Sequence, residues 1–203
     1  MGYWKDKVLP KIVDRGMRND IMAAQRHRAA PLASGRVLEI GAGSGLNFPL
    51  YTEKVDLLFG LEPSAELRRK AAEMTADTPF QVEMLDAGAE SIPLETHSVD
   101  TVVSSWTLCS IPEIEAGLQE IRRVLKPGGR FVFIEHGRAP DASAANWQRR
   151  LRPIGKVLLG CDLYLPMEDL IREAGFAFPE IEKTYLDGPP FLAYHYIGQA
   201  TPL

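Results

Sequence analysis

The sequence predicts an α/β fold in which a seven-stranded, mostly parallel sheet carries helices on both faces and its last strand runs antiparallel. Short apolar runs rich in β-branched and aromatic residues alternate with amphipathic stretches, a pattern typical of β-α-β units. The chain has 203 residues, 45% of them hydrophobic, which is enough for a core between two helical layers. We therefore expect one domain of this architecture.

The predicted strands are apolar runs that turn residues bound on each side. They are residues 36–40, 57–61, 80–84, 101–104, 130–135, 181–185 and 192–198. A short turn at 187–190 separates the last two strands, which predicts an antiparallel hairpin. We divide the chain into an N-terminal helical segment (1–35), a core (36–135), an inserted helical cover (137–165) and a C-terminal helix and hairpin (166–203).

Helices are predicted between the strands. One begins at about Leu46 and a second covers residues 65–74. Ser110 and Glu113 have the spacing of a capping box, and apolar residues then recur at helical intervals. A later helix covers residues 168–174, and the glycine that follows it is a typical C-terminal signal.

The strongest chemical signal is a glycine turn, residues 41–45, directly after the first strand. Glycine there permits positive φ and lets a ligand lie against bare backbone. A dinucleotide fingerprint would require glycine at position 46, where this chain has Leu46, and no Gly-Lys-Ser/Thr follows to make a P-loop. The turn therefore favours neither of these phosphate-binding motifs.

Two carboxylates flank this turn. Glu39 lies two residues before Gly41, where a bound pyrophosphate would be repelled and a cationic ligand would be attracted. Glu62 ends the second strand, about 20 residues beyond the loop, where an acid can accept hydrogen bonds from ribose hydroxyls. Glu62 alone is typical of an exposed turn, but together these residues predict a site for a positively charged nucleoside.

At these residues the sequence resembles the class I S-adenosylmethionine (SAM)-dependent methyltransferases, whose fold is Rossmann-like. The resembling blocks lie in order at residues 39–45, 60–64, 89–94, 98–104 and 123–129. The resemblance implies binding of SAM and release of S-adenosylhomocysteine. The implied cofactor residues are Glu39, Gly41, Ala42, Gly43, Gly45, Asn47, Glu62, Pro63, Ser64, Ala89, Glu90, Ser104, Ser105 and Trp106. Many members carry an aspartate for the adenine where this chain has Gly88, and Glu90 and Asp86 are the candidates to replace it.

Shorter blocks resemble a methyltransferase-like family whose membrane-anchored members methylate alkyl thiols. They lie at residues 43–48, 108–110, 135–136, 147–148, 160–163 and 195–198. This resemblance implies a small, fairly apolar or lipid-like acceptor, with a thiol sulfur favoured. Carbon methylation of a quinone precursor and nitrogen methylation of a lipid amine are the alternatives, and a non-catalytic SAM-binding module is the alternative from another class.

Candidates for the chemistry lie after the fourth and fifth strands and in the cover. His136 is the preferred general base, against the alternative of a histidine bonded to a neighbouring carbonyl. Trp106 either flanks the ligand or packs in the core. The candidates for the acceptor pocket are Cys109, Asp162, Tyr164 and His195. The basic run at 148–152 is typical of a solvated helix face, with binding of an anionic head group as the alternative.

Composition restricts partners and compartment. A formal net charge of −4 argues against nucleic acid, and the two cysteines lack the spacing of a metal site, so we expect no metal. We find neither a signal peptide nor a run long enough to cross a bilayer and expect a cytoplasmic protein, monomeric or homodimeric. Residues 3–9 mix aromatic, basic and apolar groups, which suits peripheral membrane contact or packing on the domain.

Overall fold

The computed structural model describes residues 8–76, 78–158 and 160–203. In this part of the chain seven strands form one sheet. They are β1 (Gly35–Ile40), β2 (Val55–Leu61), β3 (Gln81–Leu85), β4 (Val99–Ser105), β5 (Leu125–His136), β6 (Phe176–Tyr185) and β7 (Tyr194–Pro202). The sheet order is β3-β2-β1-β4-β5-β7-β6. The predicted strands are therefore confirmed. Five have wider bounds, β3 is shifted by one residue towards the C-terminus, and β7 begins two residues later and ends four residues later than predicted.

The strand directions also match the prediction. The pairs β1 with β2, β1 with β4, β2 with β3 and β4 with β5 are parallel. Strand β7 runs antiparallel to both β5 and β6, so the last two strands form the predicted hairpin. The strand order reverses between β1 and β4, and open α/β sheets bind their ligands at such a switch point.

Helices cover both faces of this sheet. They are α1 (Leu9–Gly16), α2 (Asp20–Ala29), α3 (Ala65–Glu73), α4 (Ile114–Val124), α5 (Ala142–Leu158), α6 (Met167–Glu173) and the single turn α7 (Pro190–Ala193). Side chains of a strand alternate between faces. Leu38 packs with residues of α4 and α6, whereas its neighbour Val37 packs with residues of α2 and α3. Both faces are therefore buried, as a parallel sheet requires.

One predicted helix and one predicted helix cap are wrong, and a proline explains each. Residues 46–54 contain only a short 3-10 turn, Phe48–Leu50, because proline at 49 has no N–H to donate to the preceding turn and Tyr51 is extended. The capping box also does not form. Helix α4 starts at Ile114 with Glu113 in the capping position, and Ser110 belongs to a separate turn, Leu108–Ser110. Proline at 112 favours the extended backbone of Ile111, which separates this turn from α4.

The predicted cover contains the longest helix, α5, and the loop after it. The side chain of Gln148 fastens this helix to the end of β5 by accepting from the Ala139 amide (2.9 Å) and donating to the Gly137 carbonyl (3.0 Å). The amide of Asp162 donates to the Cys109 carbonyl at 2.8 Å. These bonds fix the cover against the loops that follow β4 and β5.

The N-terminal segment is only partly described. Residues 3–7 of the predicted membrane-contact segment lie outside the described residues, while Leu9 opens α1. None of the described helices has the length and apolar character needed to cross a bilayer.

Candidate active site

A cavity of about 860 Å³ lies at the carboxyl ends of β1, β2 and β4. Loops following these strands form one side of it, and α1, α2 and the cover form the other. Most of the predicted site residues line this cavity. They are Glu39, Gly41, Ala42, Gly43, Asn47, Glu62, Pro63, Ser64, Ala89, Glu90, Ser105, Trp106, Cys109 and Asp162. The fold thus brings together residues that are up to 123 positions apart (162 − 39).

The glycine turn lies flat against the end of the sheet. Gly41 has φ +63°, and a Cβ there would overlap the side chain of Thr107. The Ala42 amide donates to the Leu61 carbonyl at the end of β2, at 3.0 Å. Position 41 therefore requires glycine for both conformation and space, and the turn leaves backbone exposed to the cavity.

Glu39 is a buried carboxylate in the cavity wall, 3% exposed. Its Oε1 accepts from Asn47 Nδ2 and its Oε2 accepts from the Tyr51 hydroxyl, both at 2.8 Å. Burial raises the pKa of Glu39 to about 7, although both hydrogen bonds and the charge of Arg26 oppose the rise. An ionised Glu39 therefore lacks a close cation of its own and would be stabilised by one in the cavity.

Glu62 bridges the loops after β1 and β2. Its Oε2 accepts from the Gly43 amide (3.0 Å) and its Oε1 from the Ser64 amide (2.8 Å). Burial raises the pKa of this carboxyl, while the two amides and Arg68 oppose the rise. Each carboxylate oxygen has a further lone pair for a donor in the cavity. Glu62 is therefore held in one orientation and can accept from a ligand.

Glu90 takes the space that a side chain at position 88 would need. A Cβ on Gly88 would lie 2.6 Å from Glu90 Oε2, and both residues line the cavity. Asp86, the other candidate, instead forms two hydrogen bonds with Arg68, at 2.7 and 2.6 Å, and does not line the cavity. Of the two, Glu90 is therefore placed to substitute for the missing aspartate.

Trp106 has an unusual backbone. Its φ is +53°, a conformation rare for a bulky side chain, and its amide donates to the Ile134 carbonyl at 2.7 Å. The ring lies 5.2 Å below the guanidinium carbon of Arg26. Its buried Nε1 has no hydrogen-bond partner among the described residues. Trp106 therefore both lines the cavity and packs in an apolar cluster.

The structure corrects the placement of five predicted site residues. Gly45, Ser104, His136, Tyr164 and His195 do not line the cavity. Gly45 packs against the Phe48 ring beneath the turn. A Cβ added to Gly45 would lie only 2.9 Å from that ring. Ser104 points the other way and donates to the buried Glu135. The Tyr164 amide donates a hydrogen bond to Asp162 Oδ1, and the Tyr164 ring lies under the guanidinium of Arg138.

His136 lies outside the lining of the cavity. It pairs with His195 across β5 and β7, with ring centroids 4.4 Å apart. Burial and then the neighbouring His195 lower the pKa of His136 to about 3. His195 Nδ1 donates to the Ala193 carbonyl at 2.7 Å. We therefore assign neither histidine a part in proton transfer.

Three basic residues of the cavity wall were not predicted as site residues. Arg26 comes from α2, and Arg152 and Lys156 come from the flank of α5. Arg152 belongs to the basic run at 148–152, whose sequence is typical of a solvated helix face. The helical pattern alone does not reveal which flank of α5 meets the cavity, so no sequence signal distinguished these residues.

Comparisons with known proteins agree with this geometry. A family model described as a methyltransferase domain matches residues 38–133. A thiol S-methyltransferase of Homo sapiens is 30% identical over 166 residues, which cover 79% of this chain and 67% of that protein. A phosphatidylethanolamine N-methyltransferase of Cereibacter sphaeroides is 37% identical over 105 residues, 50% of this chain and 51% of that protein. The chain thus spans about half the length of the bacterial relative and two thirds of the human one.

Solved structures show the same fold. A SAM-dependent methyltransferase from Thermotoga maritima superposes with a TM-score of 0.71 at 21% identity, covering 98% of this chain and 100% of that one. The chain belongs to the class I SAM-dependent methyltransferases. Within this class it is similar to the thiol S-methyltransferases over most of its length.

Proposed function

We propose that the cavity binds SAM and that the chain transfers its methyl group to a small, fairly apolar acceptor, with a thiol sulfur favoured. The observation that carries the proposal is the pair of buried carboxylates, Glu39 and Glu62, on either side of the glycine turn in one cavity. Buried carboxylates without a close cation are costly, and a cationic nucleoside offsets that cost.

The residues present fit this cofactor. SAM carries an ammonium and a sulfonium, and Glu39 is placed to attract the ammonium. Glu62 would accept from the ribose hydroxyls, and Glu90 would meet the adenine amino group. Asn47 Oδ1 and Trp106 Nε1 are buried and lack partners within the described chain, so the wall retains one free acceptor and one free donor. Unpaired buried polar atoms of this kind are rare unless a ligand satisfies them.

When bound, SAM supplies an activated methyl group on its sulfonium. The chain's own residues then have to orient the acceptor and exclude water, and positioning of this kind lowers a barrier by roughly 7 to 11 kcal/mol. The cover closes one side of the cavity, and its bond to the Cys109 carbonyl fixes that side. A thiol has a reference pKa of about 8.5, so a neighbouring cation favours its reactive thiolate.

Methyl transfer from tritiated SAM tests the proposal. Alkyl thiols, demethylated quinone precursors and phosphatidylethanolamine are assayed in parallel, with the Glu39→Ala variant as a control for the cofactor site. We expect labelled thioether with the wild type and little with the variant. If the lipid is labelled and the thiols are not, the favoured acceptor is an amine and not a thiol. Tight SAM binding by calorimetry with no labelled product would favour the non-catalytic module.

A lipid amine is the second candidate acceptor. The similarity of half of this chain to a phosphatidylethanolamine N-methyltransferase supports it. The matched stretch of the human thiol S-methyltransferase covers a larger share of this chain, which is why the thiol is favoured.

A further inference from the structure

Arg152 and Lys156 of α5 share a single carboxylate at the wall of the cavity. Arg152 donates from Nε to Asp162 Oδ2 at 2.8 Å, and Lys156 Nζ lies 2.9 Å from the same oxygen. The Asp162 side chain is 5% exposed, whereas those of Arg152 and Lys156 are 43% and 53% exposed. All three residues line the cavity. Two cations therefore face one acid, which leaves one positive charge at the surface of the cavity.

These cations keep hydrogen-bond donors that Asp162 does not use. A guanidinium has five N–H donors and an ammonium has three. Arg152 uses Nε–H and one Nη2–H to contact Asp162, and Lys156 uses one N–H for the same carboxylate. The Asp162 carboxylate is fixed in turn by the Tyr164 amide, at 3.1 Å on Oδ1. The pair is thus held in place by a buried acid, with donors left for a second anion.

The charge on this part of the wall differs from that on the rest. The other charged residues among the described lining are mostly acids, and Arg26 is the exception. The acids are Asp14, Glu39, Glu62, Glu90 and Glu115. Helix α5 itself carries four basic residues and no acid between Ala142 and Leu158, although the chain as a whole has a net charge of −4. The cavity therefore has an acidic part suited to a cation and a cationic part suited to an anion.

We propose that Arg152 and Lys156 form a subsite for an anionic group of the methyl acceptor, a carboxylate or a phosphate separate from the atom that is methylated. The inference rests on the proposed function, because it takes the cationic part of the cavity as the acceptor side. The backbone bond from Asp162 to Cys109 ties this subsite to the loop that carries Trp106, so the subsite has a fixed place relative to the cofactor wall. An acceptor with an anionic end is thereby oriented with its other end inward.

Binding of product analogues tests the subsite without requiring turnover. The protein is saturated with S-adenosylhomocysteine and titrated by calorimetry with methylthiohexanoate and with methylthiohexanol, which differ only in the anionic end. We expect the carboxylate to bind about tenfold more tightly, since charge-assisted bonds to half-exposed cations are moderate in strength. Lys156→Gln should remove most of this preference.

Two further variants separate the subsite from a loss of structure. Asp162→Asn keeps the acceptor for the Tyr164 amide and removes the competing charge, so it should increase the preference by about fivefold. Arg150→Gln removes a charge from the same helix at a position that does not line the cavity, and it should leave the preference unchanged. If Lys156→Gln and Asp162→Asn shift the preference in the same direction, the proposal is wrong.

The source of the anion and the proposed function have separate readouts. Dihexanoyl phosphatidylethanolamine is titrated in parallel, and a dependence on Lys156 for this lipid but not for the carboxylate would assign the subsite to a lipid phosphate. If neither anionic probe binds more tightly than the alcohol, the subsite proposal is wrong. It is also wrong if Lys156→Gln weakens binding of the carboxylate and of the alcohol equally. Turnover of neutral hexanethiol reports the methyl transfer itself, so that activity can fail while the charge-dependent binding stands.

Discussion

Replacing Glu39 by glutamine should stabilise the ligand-free protein and weaken its binding of SAM. Burial raises the pKa of Glu39 from 4.5 to about 7. A difference of about 2.5 units at about 1.4 kcal/mol each gives a cost near 3 kcal/mol for the ionised form. The folded protein holds this proton more tightly than the unfolded chain, so wild-type stability falls as pH rises from about 4.5 to 7.

Glutamine fits the same place without a charge. Its Oε1 can accept from Asn47, and its amino group can donate to the Tyr51 hydroxyl, which turns to accept. Above pH 7 the E39Q protein should therefore exceed the wild type by up to about 3 kcal/mol, or roughly 6 to 12 °C in melting temperature. Near pH 4 the two should melt together. Burial also raises the pKa of Glu135 to about 7, but that residue is present in both proteins and cancels in the comparison.

SAM affinity should change in the opposite direction. A hydrogen bond to a charged group contributes about 1.5 to 3 kcal/mol, which corresponds to a loss of roughly 10- to 150-fold in Kd for E39Q. Because a cation binds the ionised carboxylate, wild-type affinity should rise with pH up to about 7, and E39Q should lose this rise. Thermal melts and calorimetry with SAM across pH 4 to 9 measure both effects. A less stable E39Q protein with unchanged SAM affinity would refute the reasoning.

Three further substitutions test other parts of the site. Gly41→Ala has to adopt φ +63° with its Cβ against Thr107, so it should destabilise the protein by about 2 to 4 kcal/mol and abolish SAM binding in calorimetry. His136→Asn should keep kcat/KM within about twofold and leave its pH profile unchanged, whereas loss of a general base would cost about 100-fold or more. Glu90→Gln should weaken SAM binding by about tenfold and spare a SAM analogue that lacks the adenine amino group.

Sequence predicted the sheet and the glycine-turn side of the cavity because both depend on local signals. The strands are apolar runs ended by turn residues, and Gly41, Glu39 and Glu62 lie at fixed offsets from the ends of β1 and β2. Strands ending at one edge of a parallel sheet bring such residues together wherever the helices pack. The helix predicted from Leu46 and the capping box predicted at Ser110 show the limit of local signals, because a proline interrupts the helical backbone at each.

The cationic side of the cavity could not be predicted because it depends on packing between distant segments. His136 stands next to Glu135 on β5, and only the pairing of β5 with β7 places its ring against His195 and away from the cavity. Arg152 and Arg150 are two residues apart in one basic run, yet only Arg152 lines the cavity. The hydrogen bonds of Gln148 to the residues after β5 fix which flank of α5 faces the cavity. Nothing in the spacing of the basic residues reveals this contact.

Several energetically unfavourable features lie together at the cavity wall. Glu39 is buried without a close cation, Trp106 has positive φ, and two polar atoms of the described wall lack partners. Glu39 and Asn47 belong to neither of the two large apolar clusters of the sheet, whereas the Trp106 ring is part of one of them. A ligand with a cation near Glu39 and polar groups near Asn47 and Trp106 would offset all of them at once. That is why stability and SAM affinity should move in opposite directions when Glu39 loses its charge.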